Sequence, residues 1–342
     1  MTGLFSTRGK PQCRAKAIIG LPCEKVKADV TCKRCHHDTV KRFGFYGKRK
    51  IQRYRCTSCR VTFAADVPKL GEHYTDPETA ERALAMMLEG TSVRAISRLT
   101  GLHIETILAL MNTAAENAKR VFDSQVRNVR PKFVQLDELW CYVGCHGKRV
   151  TIESPAGWGD QWTWLALDSE SKMILSYHIG GRNAVNAYHF VHDLSQRTVG
   201  RFQITTDALR GYVGAIEEWY GADIDFAQLQ KIYGRSEAGP EWYGGGTVIA
   251  AVPRVKTGMP DFSRISTSHI ERANLTVRMH LRRFTRKTNA ASKTVANLKA
   301  AVALFVAWYD FCRVNMTLRV TPAMQAGLTD HVWSLHELIC QN

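Results

Sequence analysis

Between residues 76 and 90 the segment DPETAERALAMMLEG places apolar side chains at Ala80, Leu84, Met87 and Leu88, the three-and-four spacing of one helix face. Asp76 stands where a helix N-cap is wanted, and Pro77 takes the first helical position, where a missing N–H costs nothing. The following stretch, TSVRAISRLTGLHIETILALMNTAAENA, predicts a short helix from about Ser92 to Leu99, a turn at Thr100-Gly101-Leu102 and a longer helix from about Ile104. From residue 133 the period changes from helical to strand-like. FVQLDELWCYVG is one strand, and WTWLALDSESKMILSYHIGG reads as two more joined by a polar turn. NAVNAYHFVHDLSQR is then a helix, FQITTDAL a strand ending at Asp207, and YVGAIEEWYG another helix. Three antiparallel strands followed by alternating helices and strands predict a mixed α/β sheet with flanking helices. A last helical stripe, Ile270, Ala273, Val277, Leu281 and Phe284, is spaced to pack on that sheet.

The N-terminal sixth follows neither period and is organised by cysteines. Cys32 and Cys35 form one C-x2-C, Cys56 and Cys59 another, and 20 residues lie between the pairs. Four thiolates so spaced suit a closed tetrahedral zinc site, two knuckles meeting around one ion with a hairpin between them. A module this small cannot hold itself by apolar burial, so the metal supplies its folding energy. His36 and His37 could also ligate, but four cysteines suffice; Cys13 and Cys23 lack matching spacing.

With 342 residues, 45% of them apolar, the chain is long enough for two or three domains with a substantial core. No signal-peptide pattern or membrane-spanning apolar run is seen, which predicts a cytoplasmic protein whose ten cysteines stay reduced and favour metal over disulfides. Charge sharpens the picture. The formal net charge is +16, and residues 1–60 alone hold 16 Lys and Arg against Glu24, Asp29 and Asp38. That concentration is the footprint of a polyanion-binding module, with Arg42, Lys48, Arg49, Lys50 and Arg53 as candidate DNA contacts. Beside it, the helical pair of residues 72–123 reads as a helix-turn-helix, whose second helix would enter the major groove with His103 and Thr106 near its exposed start.

Acidic residues are conspicuous where the sequence should avoid them. Asp137 and Glu138 lie inside a predicted strand, where an unpaired buried charge costs several kcal/mol. Strand alternation sends the two to opposite faces, so either could be the ligand-bearing one. Asp207 closes its strand and could equally be a helix N-cap. Between Asp261 and Asp310 there are nine Lys and Arg and one carboxylate, Glu271, with no base three or four residues further on to pair it. His269, two residues earlier, is a possible auxiliary. Arg278, Arg282, Arg283, Arg286 and Lys287 are candidate phosphate contacts.

The succession of a four-cysteine ribbon, a helix-turn-helix, LDELW, TTDAL and HIERANLTVR, ending in TPAMQAGLTDHVWSL, resembles bacterial transposases of the insertion-sequence-one family over residues 30–338. That resemblance implies a multidomain chain: a basic, disordered leader (1–29), a zinc ribbon (30–66), an all-α helix-turn-helix domain (72–123), a linker (124–132), an α/β ribonuclease H-like catalytic domain with a mixed sheet (133–314) and a C-terminal tail (315–342). It implies a DDE transposase associated with the bacterial nucleoid, acting on double-stranded DNA at transposon ends and targets as a homo-oligomer. The catalytic triad maps onto Asp137, Asp207 and Glu271, which would hold Mg2+ or Mn2+, while Cys32, Cys35, Cys56 and Cys59 would hold Zn2+. Two such ions clamp the attacking and leaving oxygens of a phosphodiester displacement. The Gly-rich segment between residues 234 and 261 is expected to be an irregular loop over the site. A DNA-binding regulator of the same origin is the competing function.

Overall fold

In a computed structural model, residues 30–46, 51–64, 70, 75–234, 248–285 and 288–340 are described. The chain divides into two compact units, Met1–Pro68 and Lys69–Asn342.

In the first unit, β1 (Val40–Tyr46), β2 (Ile51–Cys56) and β3 (Thr62–Ala64) form an antiparallel sheet in the order β1-β2-β3. Tyr54 on β2 stacks on Phe63 of β3 with ring centroids 6.0 Å apart. Among the described residues of this unit only Cys32 and Cys56 are buried apolar side chains. The sheet therefore has almost no apolar core of its own.

The second unit opens with α1 (Pro77–Leu88), α2 (Val93–Thr100) and α3 (Ile104–Gln125). Each start is written locally. Asp76 accepts from the Thr79 N–H at 2.9 Å, and Ser92 accepts from the Ala95 N–H at 3.2 Å. Gly101 ends α2 at φ 74°, the left-handed conformation that glycine adopts without a Cβ penalty. The turn into α3 leaves His103, Ile104 and Glu105 exposed. Further along, α3 buries Ile107, Leu110, Met111, Ala114, Ala118 and Phe122. The 124–132 stretch, expected as a linker, instead has Val126 and Val129 buried, and Val129 forms a parallel bridge with Thr198.

Next come β4 (Phe133–Val143), β5 (Gly159–Asp168), β6 (Ile174–Gly180), α4 (Ala184–Ser195), β7 (Gln203–Thr206), α5 (Gly211–Tyr220), β8 (Asp225–Tyr233) and β9 (Val248–Thr257). They build one six-stranded mixed sheet in the order β6-β5-β4-β7-β8-β9. The β4-β7 and β7-β8 pairs are parallel; the others are antiparallel. β9 corrects the loop expectation for 234–261: residues 248–257 pair with β8, while 235–247 lie outside the described residues. The strand escapes an inside-outside pattern because it is an edge strand exposed along nearly its whole length.

After β9 the chain forms α6 (Ser268–His280), α7 (Val295–Phe311), α8 (Pro322–Gln325) and α9 (Leu335–Cys340). The predicted stripe from Ile270 to Phe284 is buried throughout, but α6 stops at His280 and residues 282–284 make a 3-10 turn. α6 packs on β4 and β5, and α7 lies between β6 and α3. α7 is apolar on nearly all sides, as a helix enclosed in a core must be. Its one buried acid, Asp310, accepts a hydrogen bond from the Ile174 N–H at 2.9 Å and has no exposed surface. Among the described residues no helix is long and apolar enough to cross a membrane.

Candidate active site

In the first unit the chain brings both thiol pairs together. Cys32 Sγ lies 3.5 Å from Cys59 Sγ and Cys35 Sγ 3.6 Å from Cys56 Sγ, with all four sulfurs within 4.8 Å of one another. Zn–S bonds of ~2.3 Å to tetrahedral corners place sulfurs about 3.8 Å apart, so the donor set fits zinc in number, type and spacing. The backbone N–H groups of Cys35 and Arg34 pull the Cys32 thiol down to about 6, while burial and the neighbouring thiols push Cys59 up, the crowding that a bound cation would relieve. Around this centre Arg53 and Arg55 lie over the Phe43 ring at 5.8 and 5.5 Å. Phe43 and Phe45 are themselves exposed, an aromatic and basic face; Arg42 is exposed and Arg53 half-buried. Lys48, Arg49 and Lys50 lie outside the described residues.

In the second unit the sheet topology makes the site. β4 pairs with β7 in parallel only as far as Leu136 against Thr206. Beyond that point β7 ends, and Asp207 is the first residue past it rather than within it. Asp137 and Glu138 therefore flank the place where a strand leaves the sheet, on the carboxyl side of two parallel strands, where α/β folds open a crevice. The carboxylates of Asp137, Glu138 and Asp207 have ligand oxygens within 4.8 Å of one another. Although the pleat turns Asp137 and Glu138 to opposite faces, the departure of β7 lets both reach Asp207.

Each acid has its own supports. Asp207 Oδ1 accepts from the Leu209 N–H at 2.9 Å, an Asx-type turn and not an N-cap, because α5 begins only at Gly211. Its Oδ2 accepts from Arg182 Nη2 at 3.1 Å, while Arg182 Nε donates to Glu138 Oε2 at 3.0 Å. Glu138 is buried on the α5 side. Burial, together with the Asp207 charge, pushes its carboxyl up to about 7 against the pull of Arg182. Asp137 Oδ2 accepts from Asn274 Nδ2 at 2.7 Å. Burial, with the Asp207 and Glu271 charges behind it, pushes Asp137 up to about 6. A divalent cation would relieve this repulsion, and hard oxygen donors of this kind suit Mg2+ or Mn2+.

Glu271 arrives on α6, which is fastened to β4 by the same strand that carries Asp137. Gln135 Oε1 accepts from both the His269 and the Ile270 N–H, each at 3.0 Å, and the Asn274–Asp137 bond adds a second rung one turn later. Glu271 itself is outside the close group of three, though its charge reaches Asp137. Thr267 Oγ1 donates to it at 2.7 Å, and Lys231 of β8 forms an ion pair with it. The expectation that Glu271 has no basic partner fails. Helical spacing counts only neighbours on the same helix, and this partner comes across the sheet. His269 leans on Lys172, with Nζ to Nδ1 at 3.2 Å, and points to no acid of the site.

The proposed phosphate contacts divide. Arg282 is exposed and Arg278 half-buried; Arg286 and Lys287 lie outside the described residues. Arg283 is turned inward: Nη1 donates to Ser292 Oγ at 3.0 Å and to the Asn297 carbonyl at 2.5 Å, and burial pulls its pKa down to about 10. A guanidinium so occupied ties Arg283 to Ser292 and Asn297, which removes it from the phosphate set. Sequence reasoning missed Gln135, Arg182 and Lys231. Gln135 had a faint signal, an amide two residues before a strand acid; the other two had none.

No protein-family model and no curated protein matches the chain. Among solved structures, a piggyBac transposase synaptic complex with hairpin DNA aligns over 80% of this chain and 71% of that one, at 10% identity and a TM-score of 0.38. A Mos1 transposase paired-end complex with left transposon end aligns over 45% of this chain and 58% of that one, at 14% identity and a TM-score of 0.18. The Mos1 strand transfer complex gives 13% identity, 45% and 56% coverage and the same TM-score of 0.18. Likeness this distant fixes neither family nor activity.

Proposed function

We propose that this chain is a metal-dependent DNA transposase that cuts phosphodiester bonds at the ends of an insertion sequence and joins them to target DNA. One observation carries the reading: Asp137 and Asp207, 70 positions apart in the sequence, meet where β7 leaves β4, under a helix that the same strand pins in place and that delivers Glu271 nearby. Asp137, Asp207 and Glu271 would hold Mg2+ or Mn2+. Such ions lower the pKa of a bound water or hydroxyl and neutralise charge on the phosphate.

The rest falls to the chain's own groups. Asn274 orients Asp137, the Leu209 N–H orients Asp207, and Thr267 holds Glu271. Arg278, Arg282, Arg286 and Lys287 contact DNA backbone, positioning it without reading sequence. The zinc-held ribbon with Arg42, Lys48, Arg49, Lys50 and Arg53, and the first turn of α3 with His103 and Thr106, bind the ends. Two ends handled together call for at least two copies.

Purified protein incubated with Mg2+, labelled end DNA and target should nick the ends and form joined product. Asp207→Asn and Asp137→Asn should each lower the cutting rate on the order of a thousandfold, the several kcal/mol expected of a metal ligand. Equal cutting by wild type and Asp207→Asn would overturn the catalytic assignment. End-specific binding with no cutting by either protein would instead make the chain a regulator.

A further inference from the structure

The acidic site contains a cation of its own. Arg182 reaches two carboxylates at once, Glu138 through Nε at 3.0 Å and Asp207 through Nη2 at 3.1 Å, and its guanidinium lies over the Trp162 ring at 5.0 Å. Glu138 cannot serve merely as a surface partner. Its side chain is 1% exposed, and apart from Arg182 its polar support is the fully buried Tyr212 hydroxyl, which donates to it. A buried carboxylate facing two further acids within 4.8 Å is a cluster short of positive charge. Arg182 supplies part of that charge from a half-exposed position, its side chain 38% accessible.

We propose that Arg182 is a positioning residue that occupies the acidic site in place of a divalent cation: it keeps Asp207 and Glu138 together while the metal is absent and yields Asp207 Oδ2 when the metal binds. The planar fork suits the first task, because its N–H groups are held rigidly apart and reach two separated carboxylates, whereas a lysine ammonium presents its donors from a single nitrogen. Competition follows from charge. A guanidinium in contact with a ligand oxygen opposes an incoming cation directly, and in a partly buried site the opposition is only weakly screened. Stacking on Trp162 gives the released side chain a place to rest.

The inference rests on Asp137 and Asp207 being metal ligands. Its test reads metal affinity, not activity. Mn2+ is titrated into the full-length, zinc-loaded protein and free Mn2+ is followed by electron paramagnetic resonance, for wild type, Asp137→Asn, Arg182→Ala and Arg182→Met. The methionine keeps the stem over Trp162 and guards against misfolding of the alanine variant; circular dichroism checks both. Wild type should bind and Asp137→Asn should lose binding. Both Arg182 variants should bind Mn2+ about tenfold more tightly. Wild-type or weaker affinity in the Arg182 variants overturns the exchange while leaving the metal site standing. No Mn2+ binding by wild type, or binding that survives Asp137→Asn, brings down the metal-ligand reading and this inference with it.

Discussion

The fastening of α6 to β4 can be tested by removing one atom group. Gln135 is 3% exposed, and its side-chain carbonyl is the acceptor for two N–H groups in the first turn of α6, where a helix has no internal partners for its donors. Gln135→Met keeps the length and apolar stem of the side chain but removes the acceptor. The buried Ile270 N–H then loses its hydrogen-bond acceptor at a cost of roughly 1–3 kcal/mol. The His269 N–H, partly reachable by water, adds less, so a net loss of about 2–3 kcal/mol is expected. All eight tryptophans lie beyond residue 139, so urea unfolding followed by tryptophan fluorescence reports the second unit alone. The midpoint should fall with an unchanged slope, and Mn2+ affinity should fall with it, because Asn274 and Glu271 ride on the loosened helix. A Gln135→Met protein within ~0.5 kcal/mol of wild type would refute the argument that this side chain holds the helix.

Three further outcomes follow from features already described. Cys56→Ser should abolish binding of one zinc per chain, read by chelator-dye release, and disorder the ribbon while tryptophan fluorescence of the second unit stays unchanged. Asp310 has its carboxyl pushed well above the usual range by burial. Folding thus holds a proton that the unfolded chain gives up, and stability falls as pH rises above the ordinary carboxylate range of about 4. Asp310→Asn should therefore raise the thermal midpoint at pH 7, with the gain shrinking as pH approaches 3; a gain independent of pH would show that the proton is not the cause. Lys231→Met should leave Glu271 held by Thr267 alone and so strengthen Mn2+ binding measured by calorimetry, whereas an unchanged affinity would mean that the ion pair does not restrain Glu271.

Much of this arrangement was legible in the sequence because it is local. Asp76 and Ser92 announce their helices, Gly101 ends one, and the two C-x2-C pairs state their own geometry. The strands carrying the acids were also readable, since β4 and β7 are buried and β-rich. What escaped depends on encounters across the sheet. Alternation on a single strand separates Asp137 from Glu138, and only the early end of β7, a property of a different strand, lets both approach Asp207. Lys231 and Arg182 are ordinary basic residues until the topology places β8 beside α6 and the β6–α4 turn beside Glu138. β9 was missed for the opposite reason, having no buried face to imprint a period of two.

The short parallel seam between β4 and β7 also helps fix the phase of the acidic cluster. Four residue pairs set it, from Phe133–Gln203 to Leu136–Thr206, and the β5 register continues through Asp137 and Glu138, so inserting or deleting one residue just before Asp137 would shift the acids against both partners and exchange their neighbours. The acid now bonded to Asn274 would turn toward Arg182 and Tyr212, and its neighbour toward α6. Changes in residue count at this seam are thus far less tolerable than substitutions of similar size along the exposed β9 edge, where no side chain is aimed at the acids.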